Sequence, residues 1–585
     1  MTDTTNTTTT KRGADRTSDG RTLTDEEIEI VEATIDAITS AMPVGLSPSQ
    51  VVSAGNRLVR TAWKQPTTLL RHTVALGGEA LRVAAGVSDV EPDRKDRRFA
   101  DEWFTERPAY RRLAQLQVAL EHEIADLIED LDMDDKSRLR SELLAAIATS
   151  TIAPTNTLLG NPAALKKAWE TRGRSLRDGA RHAWHDARHN GGMPSMVDTR
   201  PFTPGDTVAA TPGEVVFRNP VLELIQYTPT TKRVHRRPMV IVPPQINKYY
   251  VLDLAPGRSL VEHLVSKGQQ VFMISWRNPG PDQRDWNFDT YLAAILDATD
   301  AVLEITGSKD LNLLGVCAGG ITSAGLLGHL AAVEDERVNS ASFLVTILDW
   351  EKPSTIGTMI TGPVLNAARR SSRSKGILDG DSLGKVFAWL RPNDLVWNYW
   401  VNNYLLGKNP PAFDVLSWNV DATNLPAELH QDFMAMAADN SMTQPGKVVA
   451  LDTPIDLGAI TCDSYVVGAV TDHITPWEAC YETVNLLGGS SEFVLSSQGH
   501  IQALVNPSGN PKGEYFTNPE AVGLELTADE WRRGAEGHQG SWWDHWTTWL
   551  AERSGTKVAA PTALGSDEHP PILPAPGTYV VADAG

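Results

Sequence analysis

Six residues, Gly315-Val316-Cys317-Ala318-Gly319-Gly320, stand between a mostly apolar run, Leu311 to Leu314, and a helical segment, Ile321 to Val333. Glycines at this spacing around a nucleophilic side chain have the G-x-S-x-G form of a sharp strand-to-helix turn, with cysteine in place of serine. The turn strains the backbone at the nucleophile. A Cβ at Gly315 or Gly319 would collide with the neighbouring strand or helix. The following helix aims its first N–H groups at the cysteine, which favours a thiolate and an adjacent oxyanion. The N–H of Ala318 is expected to be one oxyanion donor. The second is expected from the loop after the strand Met239 to Val242, around Gln245 and Ile246. Cysteine is also a common small core residue, so the weight rests on the strand, turn and helix around it.

Bulk properties narrow the field. The chain has 585 residues, enough for two or more domains, and a formal charge of −20, which argues against a general nucleic-acid binder. A local basic cluster, Arg94, Lys95, Arg97 and Arg98, reads as a solvated helix start. The three cysteines, Cys317, Cys462 and Cys480, show no CxxC pair or disulfide spacing, which implies a reducing compartment. Met1 to Asp19 is Thr-rich and polar, unlike a secretory signal. Leu311 to Val333 lacks Asp, Glu, Lys and Arg over about the length of a membrane span. Its five glycines and its change of period fit a buried strand, a turn and a helix instead.

Residues 1–24 are expected to be disordered and 25–203 to form a helical N-terminal domain, with Ile28, Val31, Ile35 and Ile38, then Leu113, Leu116, Leu120 and Ile124, at helical spacing. After Thr203 short β-branched runs alternate with helices. Strands are predicted at Val221 to Tyr227, Met239 to Val242, Gln270 to Ser275, Leu311 to Val316, Phe343 to Leu348, Ser464 to Ala469 and Glu492 to Ser496. Helices are predicted at Ser259 to Ser266, Tyr291 to Thr306 and Ile321 to Val333. Such alternation predicts a mostly parallel sheet flanked by helices on both faces. The catalytic domain is expected over 204–553. A Trp-, Asn- and Pro-rich insertion at about 350–450 reads as a cap, and the tail, 554–585, as loosely held.

A nucleophile elbow calls for an acid and then a histidine, in that chain order, after later strands. Thr471-Asp472-His473 and Gln498-Gly499-His500 follow the strand candidates ending at Ala469 and Ser496. Cys317, Asp472 and His500 are therefore the expected triad, with His500 as base and Asp472 orienting its ring. Several alternatives stay open. Asp472 could cap the helix near Pro476, His473 could be the base, Asp349 could be the acid, and His500 could be structural. The chain has no GxGxxG after a strand, no GxxxxGK[ST], and no HExxH or Cys/His cluster for zinc, so neither a bound cofactor nor a metal is expected.

These segments resemble the polyhydroxyalkanoate synthases, a family on the α/β-hydrolase fold. The resemblance is carried by Gly315 to Gly320, Asp96-Arg97-Arg98-Phe99-Ala100, Tyr110-Arg111-Arg112-Leu113, Pro243 to Tyr250 with Asp253-Leu254, Ser275 to Pro279, and Trp397-Asn398-Tyr399-Trp400. Asp472-His473-Ile474, Gly499-His500-Ile501 and Pro576 to Val580 extend it from about Asp96 to the end. It implies an acyltransferase of the single-subunit class that polymerises (R)-3-hydroxyacyl-CoA into polyester. CoA is then a product carried by the substrate, not a cofactor. It also implies a cytoplasmic homodimer at the surface of polyester granules, with Trp418 near the dimer contact. Gln502 and Phe516 depart from the pattern, where a small residue and a Trp are expected, and the region before Asp96 is unmatched. Two other readings compete: a cysteine acyl-CoA thioesterase or hydrolase, and a non-catalytic granule-binding protein. A cysteine suits a thioester substrate, because exchanging one thioester for another is nearly balanced in energy. Transfer to a hydroxyl and not to water demands a closed apolar site, for which the Trp-rich cap is plausible material.

Overall fold

The structure is a computed structural model, and it describes residues 62–582 apart from 356 and 358–361. The predicted disorder over 1–24 and the helical spacing from Ile28 to Ile38 lie outside the described residues.

The N-terminal region is helical: α1 (Pro66–Ala85), α2 (Pro108–Asp130), α3 (Asp135–Thr151), α4 (Pro162–Glu170) and α5 (Arg174–His189). Prolines open α1, α2 and α4, where a missing N–H costs nothing. Asp134 and Asn161 cap α3 and α4 through their side chains.

The rest is built on one sheet of eleven strands. They are β1 (Gly213–Arg218), β2 (Leu222–Tyr227), β3 (Met239–Val242), β4 (Val271–Trp276), β5 (Leu311–Val316), β6 (Val338–Leu344), β7 (Asp463–Ala469), β8 (Ser491–Ser496), β9 (Glu514–Thr517), β10 (Glu536–Gln539) and β11 (Leu573–Pro574). Their spatial order is β11-β1-β2-β4-β3-β5-β6-β7-β8-β9-β10, with β4 to β8 parallel and both edges antiparallel. Every residue of β3, β4 and β5 is buried, as expected of parallel strands covered on both faces.

Helices α6 (Leu260–Ser266), α7 (Phe288–Thr306) and α8 (Ala318–Ala332) connect the first parallel strands. Residues of α7 and α8, such as Leu292, Ile295, Leu326 and Leu330, share one core with one sheet face. Leu260 and Leu264 of α6 share the other face's core with Trp542, Trp546 and Leu550. This is the α/β-hydrolase fold. Among the described residues no helix is long and apolar enough to cross a membrane.

Between β6 and β7 lie α9 (Gly362–Lys375), α10 (Gly380–Trp389), α11 (Asp414–Val420) and α12 (Ala427–Asp439). Two π-helical segments, Asn393–Trp397 and Trp400–Leu405, separate α10 from α11. The N-terminal helices grip this insertion: Tyr404 donates to Asp186 Oδ2 at 2.8 Å and Trp400 Nε1 to the Asn156 carbonyl at 3.1 Å. Two expectations need correction. The strand predicted at Phe343 to Leu348 is β6, which starts at Val338 and ends at Leu344; Ser340 and Ser342 hid its first half. The tail is pinned, not loose. Its β11 pairs with β1, and Glu223, fully buried in β2, accepts the Thr578 and Tyr579 N–H groups at 2.9 Å each.

Candidate active site

Cys317 sits where β5 turns into α8, with φ 51° and ψ −119°. This is a conformation that a residue with a side chain rarely adopts, and it must be held by its surroundings. The Cys317 N–H donates to the Leu344 carbonyl at 2.9 Å, and the Cys317 carbonyl accepts the Gly320 N–H at 2.9 Å. Both glycines of the motif are close-approach positions. A Cβ on Gly319 would lie 2.2 Å from the Val242 carbonyl oxygen, and one on Gly315 would lie 2.7 Å from Gly320 Cα. The start of α8 is thus pressed against the end of β3 and against β5. Gly320 is a third such position: its Cβ would meet Thr346 Oγ1 at 2.1 Å.

Asp472 lies in the turn after β7, with its carboxylate sealed from solvent. Its Oδ1 accepts the N–H groups of Ile474 at 2.8 Å and Thr475 at 2.9 Å. Its Oδ2 accepts the Thr475 hydroxyl at 2.7 Å and meets His500 Nδ1 at 2.7 Å. The capping reading is therefore partly met, since Asp472 ties the turn, but helix α13 (Trp477–Leu486) begins beyond its reach at the Pro476 cap. His500 follows β8 and opens the short helix His500–Leu504. Burial acts to lower its pKa. The Asp472 charge and hydrogen bond, with a further hydrogen bond to Cys317, outweigh burial and push it up to about 10. Burial likewise acts to raise Asp472, and the His500 charge beside it holds the carboxyl below its ordinary value. Asp472 is therefore paired with His500 through Nδ1, and Cys317 acts on the same ring closely enough to help raise its pKa.

The alternative partners make other contacts. Burial first, and Arg391 second, lower His473 to about 4, and no hydrogen bond joins it to Asp472 or Cys317 among the described residues. Asp349 Oδ1 accepts Asn440 Nδ2 and the Glu351 N–H, each at 2.8 Å, which ties the end of α12 to the turn after β6. Burial pushes the Cys462 thiol up to about 11 and Cys480 well above its ordinary range, so neither competes as a thiolate.

Ala318 is the first residue of α8, whose opening N–H groups have no partner within the helix. The loop holding Ile246 is clamped from two sides. Gln245 Nε2 donates to Thr322 in α8 at 3.1 Å, the Ile246 carbonyl accepts the Thr423 N–H at 3.1 Å, and Trp418 Nε1 donates to the Lys248 carbonyl at 2.7 Å. Trp418 is 3% exposed and packed in the chain's own core, so its ring has no surface to offer a dimer partner. Sequence reasoning missed Thr475, whose hydroxyl lies 3.1 Å from His500 Nδ1 and braces both acid and ring. The signal was present as Asp472-x-x-Thr475, the spacing of a side-chain-capped turn.

Comparison with known proteins bears on the chain as a whole. The family model for the poly-beta-hydroxybutyrate polymerase (PhaC) N-terminus matches residues 95–264, and that for the alpha/beta hydrolase fold matches 238–507. Poly(3-hydroxyalkanoate) polymerase 1 of Ectopseudomonas oleovorans is 45% identical over 537 residues, covering 92% of this chain and 95% of the relative. The poly(3-hydroxyalkanoate) polymerase subunit PhaC of Cupriavidus necator is 38% identical over 510 residues, 86% of each chain. Likeness of this depth, running through the helical N-terminal region, the elbow and the insertion alike, makes the chain a member of the poly(3-hydroxyalkanoate) polymerase family.

Proposed function

We propose that this enzyme polymerises (R)-3-hydroxyacyl-CoA into polyester through a covalent acyl-Cys317 thioester, with release of CoA. The observation that carries the reading is the Asp472–His500 pair at Nδ1 together with the strained backbone of Cys317 at the elbow, which acts on the same ring. His500 holds the thiol proton as an imidazolium, and Asp472 stabilises that charged form. The sulfur attacks the thioester carbonyl. The oxyanion forms beside the first N–H groups of α8, at Ala318, and faces the loop at Ile246. The C–S bond to CoA breaks, and the leaving thiolate takes the proton from His500. In elongation His500 accepts the proton of an incoming 3-hydroxyl as that oxygen attacks acyl-Cys317. An ester bond forms, the Cys317 thioester breaks and the sulfur is reprotonated. Thioester exchange then reloads the longer chain onto Cys317 and frees CoA.

CoA arrives with the substrate, so the cycle needs no other cofactor. Family kinship supports a cytoplasmic homodimer working at the surface of its polyester granule. The test is free-thiol detection with the purified full chain. Cys317→Ala is expected to abolish CoA release and Cys317→Ser to leave only a trace. Full activity in Cys317→Ala would remove the mechanism. A polymeric product supports the polymerase, whereas free hydroxy acid would point to a thioesterase.

A further inference from the structure

Thr475 holds a place that the catalytic cycle proposed above does not use. It is buried three residues after the acid, in the turn between β7 and α13. Its N–H donates to Asp472 Oδ1 at 2.9 Å and its hydroxyl lies 2.7 Å from Oδ2, so one residue serves both carboxylate oxygens. The same hydroxyl is 3.1 Å from His500 Nδ1, which itself lies 2.7 Å from Oδ2. Acid, hydroxyl and ring nitrogen thus form a closed triangle in the protein interior.

Only one assignment of protons fits this triangle. The ionised Oδ2 accepts and cannot donate. The Nδ1 proton points at Oδ2, the shorter of its two contacts, which leaves Nδ1 no lone pair for the hydroxyl. The single hydroxyl proton therefore also goes to Oδ2. A bond of 2.7 Å to a charged oxygen outweighs the 3.1 Å contact between Thr475 Oγ1 and the Nδ1–H. On balance the hydroxyl spreads the charge of Oδ2 and loosens its hold on an imidazolium. A valine in its place would leave Oδ2 only the Nδ1–H among the described residues.

The two halves of the cycle ask different things of His500. Before loading, the imidazolium faces the sulfur whose proton it holds. Once Cys317 is acylated that sulfur carries no charge, and the ring must be neutral to accept the proton of the incoming 3-hydroxyl. Burial favours the neutral ring. The Asp472 charge and hydrogen bond oppose it, and in the acyl-enzyme they do so without help from a Cys317 thiolate. Other titratable groups nearby stay uncharged. Burial first, and Arg391 second, lower His473 to about 4, and burial raises Cys480, whose thiol donates to the Thr475 carbonyl at 3.5 Å.

We propose that Thr475 is a positioning residue for elongation: by sharing Asp472 Oδ2 with the His500 ring, it lets that ring return to its neutral form in the acyl-enzyme and act as base toward the 3-hydroxyl. The role rests on the cycle proposed above, and Thr475 itself touches no reacting atom.

The test is the pH dependence of kcat, measured as CoA release at saturating hydroxyacyl-CoA, for the full-length parent, Thr475→Val and Thr475→Ser. Thr475→Val is expected to move the rising limb about one unit to higher pH. The loss is then about tenfold on the limb and shrinks to within about twofold on the plateau. Thr475→Ser keeps the hydroxyl and is expected to restore the parent profile. Thr475→Ala, which lacks the methyl that replaces the hydroxyl in valine, is expected to follow Thr475→Val. A limb that stays in place, a loss equal at every pH, or serine behaving as valine would overturn the proposal. Failure of the catalytic reading would show separately, as CoA release surviving in Cys317→Ala. With release abolished in that variant, the Thr475 series alone decides.

Discussion

Replacing Gly319 with alanine tests the elbow without touching any reacting atom. The new Cβ would lie 2.2 Å from the Val242 carbonyl oxygen and 2.6 Å from that of Pro243. Both are backbone atoms at the end of β3, so no rotamer change relieves the overlap. The start of α8 must retreat by about 1 Å, and it carries Cys317 and the Ala318 N–H with it. A misplacement of about 1 Å at reacting groups costs on the order of 100-fold in rate. The strain should lower stability by about 1–3 kcal/mol, too little to unfold a core of this size. Gly320→Ala is the matched control. Its Cβ would meet the side chain of Thr346 at 2.1 Å, which truncation can remove. The expected pattern is a loss of roughly 100-fold in kcat for Gly319→Ala, with the enzyme still folded, and partial rescue of Gly320→Ala by Thr346→Ala. Free-thiol detection of CoA release reads the first quantity and thermal unfolding the second. Gly319→Ala with kcat within about threefold of the parent would refute the close-approach argument and the geometric role of the turn.

Four further outcomes follow from the site. In Asp472→Asn burial on His500 is opposed only by Cys317, so the ring should lose its proton well below the value of about 10 that it has beside the carboxylate; 15N NMR of labelled histidine reads this, and an unchanged titration would refute it. The raised His500 pKa also fixes a sign. The pair's contribution to stability is complete below the ordinary histidine value of 6.5 and fades as pH rises through about 10, so the Tm gap between parent and Asp472→Asn should be wide at pH 6 and narrow toward pH 10. His473→Ala should keep kcat within about tenfold of the parent whereas His500→Ala loses it by 100-fold or more, since only His500 bonds the acid. Trp418→Ala removes a buried ring and the bond to the Lys248 carbonyl, and should cost about 3–5 kcal/mol in chemical denaturation with no change in oligomeric state.

What the sequence disclosed follows how locally each feature is encoded. β3 and β5 are short apolar runs bounded by Pro243 and by Gly315, and no other element explains such runs beside a G-x-C-x-G turn. β6 was displaced because Ser340 and Ser342 look like loop residues. Their hydroxyls are in fact satisfied by Asn312 at 2.8 Å and by the Trp546 indole at 3.0 Å, partners far away in the chain. The strands β1, β9 and β10, at or next to the sheet's edges, leave no clear pattern because they are short and partly exposed, so their residues need no uniform apolar character. The insertion hid its helices for another reason. The π-winding of Asn393–Trp397 and Trp400–Leu405 breaks the 3.6-residue period on which a helical pattern is recognised.

The same distinction explains the division within the site. Chain order and strand ends pointed to Cys317, Asp472 and His500, because the nucleophile and the acid have to come from different strands to reach the histidine ring of a third. His473 shares the acid's own loop, and burial with the Arg391 charge lowers its pKa to about 4. The groups that hold the site in shape are distant in sequence from what they hold. Trp418 and Thr423 grip the loop of Ile246 from more than 170 residues away, and Thr346 closes on the elbow from the far end of β6. Such contacts leave no periodicity behind. A buried carboxylate inside an apolar strand, as at Glu223, is costly unless paired, so it announces partners. Here Arg218 on the adjoining β1 supplies the opposite charge, and the tail supplies the Thr578 and Tyr579 N–H groups, a contact that composition alone does not disclose.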